Sequence, residues 1–195
     1  MGVDFALFGQ ATCASASLER EIMQPNQAEF LAKTLLESSD QEARATRRVI
    51  TSVPDYHWDY SPGENSRNAF DLAWHMVQTE VFFLNAVADG KFGEEPPPMP
   101  EGTSNMTEIE AWYLEQQPKA VERVKALTGE DLAKEVDFFG VYNLPAVKYL
   151  QMQILHTAHH RGQLSAYIRP AGGAVPAIYG GSHDEAFELP VELAS

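Results

Sequence analysis

Three of the six histidines in this 195-residue chain lie within positions 156–160, in the segment LHTAHHRGQ. Apolar residues at helical spacing flank this segment, so it is predicted to lie on a helix. His156 and His160 are four residues apart, which places both imidazoles on one face of that helix, one turn apart. This spacing lets a helix present two nitrogen ligands to one metal ion. A third ligand must then come from another part of the chain.

The length and the charge of the chain limit what it can be. A length of 195 residues is enough for one sizeable core but not for two full domains. The net charge of −14 argues against a nucleic-acid partner and against binding to an anionic membrane. The composition therefore favours a single globular domain. Its expected partner is a small-molecule substrate.

Cysteine usage and the N-terminal residues indicate the compartment. Cys13 is the single cysteine, so an intramolecular disulfide and a thiolate zinc site are excluded. No apolar run approaches the roughly eighteen residues of a membrane span. No basic residue precedes Arg20, which is the wrong charge pattern for a secretory signal. A cytoplasmic location is expected.

Hydrophobic periodicity predicts four helices. They span about 26–52, 66–89, 107–127 and 144–169. Residues 90–106 carry four prolines and three glycines and cannot form a helix. A connection of this length fits a crossover after which the third helix runs parallel to the second.

The expected fold is therefore all-α, a four-helix bundle over residues 26–170. Residues 1–25 lack a clear period and are assigned to an N-terminal arm. Residues 171–195 are rich in turn formers and are expected to pack on the bundle as a C-terminal tail. Large apolar helix faces often pair, which favours a homodimer.

His75 is the predicted third ligand. It lies in the second predicted helix, which is apolar on two faces and should be largely buried. A lone histidine there is more often a core residue, but two histidines stacked on another apolar helix are costly without a shared partner. His75, His156 and His160 together offer three neutral imidazoles and leave a coordination position open, as reactive metal sites do.

The middle histidine of the segment is assigned a different role. His159 is three residues after His156 and is also its neighbour on a helix. His160, however, shares its face with Gln163 and Tyr167, whereas His159 points toward another side. His160 is therefore predicted to be the ligand, and His159 a neighbouring residue.

Four further residues are candidates for the pocket around such a metal: Glu42, Thr79, Gln163 and Tyr167. Glu42 lies within the apolar stripe of the first predicted helix, so it either contacts the histidines or pairs with an arginine. Gln163 either orients a ligand or satisfies a backbone carbonyl. Tyr167 is equally well explained by core packing with a hydroxyl hydrogen bond.

The segment ILHTAHHRGQLSAYIRPAGGAVPAIYG, together with LAWHMVQTEVFFLNAVADGKF, resembles the DinB family of small bacterial helical proteins. The resemblance is to the YfiT-like metalloenzyme group, which is unrelated to the DNA polymerase that shares the DinB name. It implies a four-helix bundle in up-down-down-up order with a long crossover between helices two and three. It also implies a divalent metal bound by His75, His156 and His160.

The resemblance further implies a class of reaction. Some relatives are thiol-dependent transferases or isomerases, in which the metal activates a low-molecular-weight thiol such as bacillithiol or mycothiol. The leading hypothesis is therefore a metal-dependent enzyme, a thiol S-transferase or a hydrolase, using Zn, Ni or Fe. The alternative is a non-catalytic, stress-associated protein whose metal stabilises the fold or a dimer. A third hypothesis is a metal-free helical module that docks a basic partner.

Overall fold

A computed structural model describes residues 22–186, which form a mostly helical fold. Five α-helices and two strands follow in chain order: α1 (Pro25–Thr51), α2 (Ala69–Asp89), α3 (Met106–Lys125), α4 (Gly129–Ala133), β1 (Glu135–Phe138), β2 (Tyr142–Pro145) and α5 (Ala146–Ile168). The four long helices correspond to the four predicted ones. Residues 1–21 of the predicted arm and 187–195 of the predicted tail lie outside the described residues.

Local capping sets the helix ends close to their predicted positions. α1 begins with Pro25, at a position where the missing backbone N–H costs nothing. α2 begins after Asn68 rather than at Ser66, because the Asn68 side chain accepts the N–H of Asp71 at 2.8 Å. It ends, as predicted, at Gly90, whose φ of 63° is the left-handed conformation that closes a helix.

Pro118 lies inside the third helix. The sequence predicts a kink or a break there, and α3 continues through this residue without a break. A proline leaves the carbonyl four residues earlier without its helical hydrogen bond, and here that carbonyl belongs to Leu114. Leu114 is 42% exposed, so this residue lies on the solvent side of α3, where a missing helical bond is least costly.

Residues 135–145 form a small β-hairpin, so the fold departs from the predicted all-α class. β1 pairs antiparallel with β2, and Val136 lies opposite Leu144. Gly140 has a φ of 72°, which lets the chain reverse between the strands. The hydroxyl of Tyr149 donates to the carbonyl of Val136 at 2.7 Å, which fixes the hairpin to α5.

Two of the long helices, α1 and α2, each pack against both α3 and α5. Fourteen of the 21 residues of α2 are buried, which confirms the prediction that this helix lies inside the protein. The apolar side chains form two clusters, one toward each end of the helices.

A layer of buried polar side chains separates these two apolar clusters. Its members come from all four long helices: Ser39, Glu80, Gln117, Gln153 and Thr157. The Thr157 hydroxyl donates to the Glu80 carboxyl group at 3.1 Å, and the Gln153 amide donates to Thr157 at 3.4 Å. The Thr157–Glu80 bond joins α5 to α2, so sliding one of these two helices past the other would leave both buried groups unpaired.

The described part of the tail is bonded to α1. Arg48 donates to the carbonyl of Ala177 at 2.8 Å and forms an ion pair with Glu185 at 2.6 Å. The hydroxyl of Tyr179 donates to the Glu42 carboxylate at 2.6 Å.

Within residues 22–186, every helix is too short or too polar to cross a membrane.

Candidate metal centre

The three predicted ligands come together where α2 packs against α5. The ring centroid of His75 lies 5.1 Å from that of His156 and 4.7 Å from that of His160, and the last two are 4.4 Å apart. One ligand nitrogen of each histidine lies within 4.8 Å of those of the other two. The four-residue spacing explains the pair on α5, and helix packing brings His75 against it.

The imidazoles of His160 and His75 each have a polar neighbour that orients the ring. Nδ1 of His160 lies 2.7 Å from the side-chain oxygen of Gln163. Because an amide oxygen only accepts, this Nδ1 carries the proton and the lone pair is on Nε2, free for a ligand. The hydroxyl of Thr79 lies 3.5 Å from Nδ1 of His75, a longer and weaker contact.

His156 differs from its two neighbours. Its Nδ1 is buried and has no hydrogen-bond partner among residues 22–186. An unpaired buried nitrogen costs about 1–3 kcal/mol, unless it contacts a metal or an ordered water. The donor set of three imidazoles, with one unsatisfied nitrogen, is the chemistry that a borderline-soft divalent metal prefers, so the residues fit the implied metal.

All three histidines are in the neutral form at pH 7. Burial, the positive charge of Arg67 and the neighbouring His160 lower the pKa of His75 to about 4. Burial and the other imidazoles lower the pKa of His156 to about 4 as well, and burial also lowers the pKa of His160. Neutral imidazoles offer their lone pairs without first losing a proton, which favours metal binding at neutral pH.

The structure places His159 beside the cluster. Its ring lies 4.9 Å from that of His160, and its side chain is exposed. The group able to hold a metal comprises His75, His156 and His160, whose side chains are half-buried and so accessible from one side.

Two of the four predicted pocket residues contact the histidines, and two contact other residues. Thr79 contacts His75 and Gln163 contacts His160, both of them predicted ligands. Tyr167 packs edge-on against Tyr60, with ring centroids 5.7 Å apart. Glu42 forms an ion pair with Arg161, the alternative that its sequence position left open. The catalytic roles of these four residues stay predictions.

Glu80 is the buried polar residue that sequence reasoning missed. Its side chain is 1% exposed and lies in the polar layer. Glu80 follows Thr79 in sequence, and its carboxyl group accepts a hydrogen bond from Thr157, the residue after His156. Tyr113 and Gln117 also approach its carboxyl group. The sequence did contain a signal for Glu80. It is an acidic residue between the two apolar faces of a helix that is predicted to be buried on both faces.

Replacing Glu80 with glutamine is expected to change how stability depends on pH. Burial raises the pKa of Glu80 from 4.5 to about 7, against the hydrogen bonds of Tyr113 and Thr157. Between those two pH values unfolding releases a proton, so the contribution of Glu80 to the free energy of unfolding falls as the pH rises. This fall is on the order of 3 kcal/mol. Because glutamine cannot ionise, the Glu80→Gln variant should not show it.

Urea unfolding of the wild type and Glu80→Gln at pH 4.5 and pH 7.5 measures this difference. The variant should gain about 3 kcal/mol relative to the wild type between the two pH values. Glu115→Gln is the control, because Glu115 is exposed and pairs only with Lys119 one turn away. Parallel pH profiles for the wild type and Glu80→Gln would show that Glu80 is ionised in the folded protein.

A sizeable cavity lies away from the histidines. It has a volume of about 640 Å³, and its walls come from α1, α3, α4 and the residues between the last two. Phe30, Leu36 and Leu132 are among the apolar residues that line it. Because none of its walls comes from α2 or α5, the candidate site is identified by its donor atoms and not by cavity size.

Fold and site together define a class of protein: mostly helical, with three histidines from two helices placed so that they could hold a metal ion. The chain belongs to the DinB family, whose family model matches residues 23–188.

The chain is similar in sequence to two curated proteins of Bacillus subtilis. The chain is 26% identical to the uncharacterized protein YjoA of Bacillus subtilis over 129 residues, which are 65% of this chain and 82% of YjoA. It is 26% identical to the uncharacterized YrdA of the same organism over 150 residues, 77% of this chain and 89% of YrdA.

Two crystal structures of DinB-like proteins resemble this fold. The one from Bacillus cereus has a TM-score of 0.64 at 27% identity and covers 75% of this chain and 97% of its own. The structure of YjoA has a TM-score of 0.61 at 22% identity, and the match covers 73% of this chain and 96% of YjoA. The family model establishes the family, and the two structures show a similar fold. The function has to be argued from the site.

Proposed function

We propose that this protein binds a divalent metal ion, Zn, Ni or Fe, through His75, His156 and His160 and uses it as a metal-dependent enzyme on a small molecule. One observation carries the proposal: three neutral, half-buried imidazoles from two helices present their nitrogens within 4.8 Å of one another. A metal held by three nitrogens keeps a position open and supplies Lewis acidity, which lowers the pKa of a thiol or water placed there.

The chain's own residues have separate tasks in this proposal. Gln163 holds the proton of His160 on Nδ1 and so directs the Nε2 lone pair toward the shared point. Thr79 limits the rotation of His75 in the same way, through its 3.5 Å contact. The polar layer behind the histidines keeps α2 and α5 in one alignment, which preserves the distances between ligands on different helices.

Of a thiol and water, we propose the thiol as the co-substrate that the metal activates. Its support is the resemblance to family members in which a metal activates a low-molecular-weight thiol.

We also propose that the four long helices form an up-down-down-up bundle with residues 90–105 as the crossover. The support is that α1 and α2 each pack against both α3 and α5, as diagonal partners in a bundle do.

Elemental analysis of untagged protein, combined with a thiol assay, tests the proposal. The protein should contain about one equivalent of Zn, Ni or Fe per chain, and chelation should lower its melting temperature. Consumption of a thiol in the presence of an electrophile, or hydrolysis of an ester, should stop on chelation and return when metal is added.

Two outcomes would contradict the proposal in different ways. Protein without stoichiometric metal, and with a melting temperature unmoved by zinc, nickel or iron, would exclude a metal centre. Stoichiometric metal that raises the melting temperature but supports no turnover would instead indicate the structural role, in which the metal stabilises the fold or a dimer.

A further inference from the structure

We propose that a crevice between α1 and α3 binds ordered water, held by the side chains of Tyr113 and Gln117 and by the backbone carbonyl of Leu114. This water joins the buried polar layer to the solvent, because Gln117 belongs to that layer and also lines the crevice. The crevice lies on helices other than the two that carry the histidines, so the proposal does not depend on a metal.

The crevice runs from exposed residues to buried ones. Its volume is about 100 Å³, and its walls come from α1 and α3 alone. Leu114 and Pro118 are exposed, whereas Tyr113 and Gln117, which line it from the same helix, are buried. A volume of this size holds about three water molecules, at the roughly 30 Å³ that each occupies in the liquid. Water therefore has both room and a path from the surface.

Two buried side chains of the crevice need a hydrogen-bond partner. Tyr113 is 1% exposed and Gln117 is 6% exposed. Within residues 22–186, the Tyr113 hydroxyl and Gln117 Nε2 make no hydrogen bond of standard geometry. The two residues are four apart on α3, so their side chains lie one turn apart on one face. Because buried polar groups are nearly always paired, a partner from outside the chain is favoured at this face.

The crevice also contains a backbone carbonyl that its own helix leaves unpaired. Pro118 has no N–H, so the carbonyl of Leu114, four residues earlier, loses its helical hydrogen bond. Both residues line the crevice. A carbonyl accepts, an amide nitrogen donates and a hydroxyl does both. One small volume therefore brings donors and acceptors together.

This mixture of donors and acceptors favours water over an ion. A water molecule donates and accepts hydrogen bonds, whereas a cation could use only the acceptors and an anion only the donors. The charged residues that line the crevice are also paired. Arg44 pairs with Asp40 at 3.1 Å, and Arg47 pairs with Glu110 at 2.7 Å. The ligand that fits these surroundings is neutral.

Water in the crevice reaches the polar layer from one side of the protein. α2 packs against α3, and Tyr113 and Gln117 both approach the carboxyl group of Glu80. One oxygen of Glu80 is buried and has no standard hydrogen-bond partner in the part of the chain that the structure describes. The water therefore extends toward Glu80 between α1 and α3, whereas the three histidines lie between α2 and α5.

A high-resolution crystal structure of the wild type tests the site directly. Density for at least one ordered water is expected within hydrogen-bond distance of both the Tyr113 hydroxyl and Gln117 Nε2. Crystals grown in rubidium bromide would reveal an ion instead, because both of its ions scatter anomalously. An anomalous peak in the crevice, or no ordered density there, would overturn the proposal.

Urea unfolding of Gln117→Met, Tyr113→Phe and the double variant tests the site in solution. Without bound water, each replacement removes a polar group that has no standard partner, so stability should rise or stay the same. With bound water, each is expected to lower the folding equilibrium constant by about fivefold. The double variant should lose about tenfold rather than the product of about 25-fold, because both side chains hold the same water.

Gln116→Met is the matched control, because Gln116 is half-buried on the same helix but does not line the crevice. Its folding equilibrium constant should stay within about twofold of the wild type. A loss in Gln116→Met as large as in Gln117→Met would trace the effect to α3 itself and overturn the proposal. Single variants at least as stable as the wild type would also overturn it, as would losses that multiply in the double variant.

Discussion

Replacing His156 with alanine is expected to weaken divalent metal binding by more than about 100-fold. Even the loss of a residue that only supports a ligand typically costs about 10–100-fold, and His156 is a ligand in the proposed centre. At about 1,000 times the wild-type Kd, metal adds about 4 kcal/mol to the free energy of unfolding of the wild type. The variant would gain about 1.4 kcal/mol or less at that concentration.

Calorimetric titration and thermal melts with and without zinc measure these effects. The wild-type melting temperature should rise by roughly 8–16 °C at that zinc concentration, and that of His156→Ala by no more than a few degrees. His75→Ala and His160→Ala should behave alike, because the three side chains share one site.

His159→Ala is the matched control, since it removes a histidine one turn from His156 whose side chain is exposed beside the cluster. Its metal affinity should stay within a few-fold of the wild type. A loss in His159→Ala as large as in His156→Ala would show that the ligand set is wrong. Full binding in the double variant His156→Ala/His160→Ala would place the metal elsewhere.

Replacing Arg161 with alanine is expected to lower the free energy of unfolding by about 3–5 kcal/mol. The side chain of Arg161 is 1% exposed, and it donates to the Glu42 carbonyl at 3.0 Å and to the Thr46 hydroxyl at 3.2 Å. It also contacts the Glu42 carboxylate and the Tyr179 hydroxyl. The variant would remove the positive member of a buried pair and leave a cavity and an unpaired carboxylate.

Urea unfolding of Arg161→Ala measures this loss, and Arg44→Ala is its control. Arg44 pairs with Asp40 where both side chains are more than 60% exposed, so its removal should cost less than about 1 kcal/mol. Glu42→Gln in the Arg161→Ala background should recover part of the stability, because it removes the unpaired charge. A loss below about 1 kcal/mol in Arg161→Ala would mean that the pair is hydrated and contributes little.

The two predictions assign different roles to adjacent residues of one helix. His160 and Arg161 are neighbours in sequence, yet one faces the candidate centre and the other the buried pair with Glu42. A helix turns by about 100° per residue, so neighbouring side chains leave it on different sides. Glu42, which was a candidate for the pocket, forms an ion pair with Arg161, and its catalytic role stays a prediction.

Much of the fold followed from patterns that act over a few residues. The four long helices lie close to their predicted bounds because apolar spacing, Gly90 and the proline-rich segment 90–106 are local signals. The hairpin at 135–145 was not predicted as a sheet, because strands of four residues leave little pattern to read. The break considered at Pro118 does not occur, because whether a helix continues past a proline depends on the tertiary surroundings of the residue one turn earlier.

The sequence by itself determined that His156 and His160 share a face, since the period of a helix is a property of the backbone alone. It also indicated His75, as a histidine in a helix too apolar to be exposed. Only the tertiary structure decided that His75 meets that pair and that Glu80 is buried and bonded to Thr157, the neighbour of His156 in sequence. Those relations depend on how side chains from distant segments interdigitate, and no pattern within a single segment records that packing.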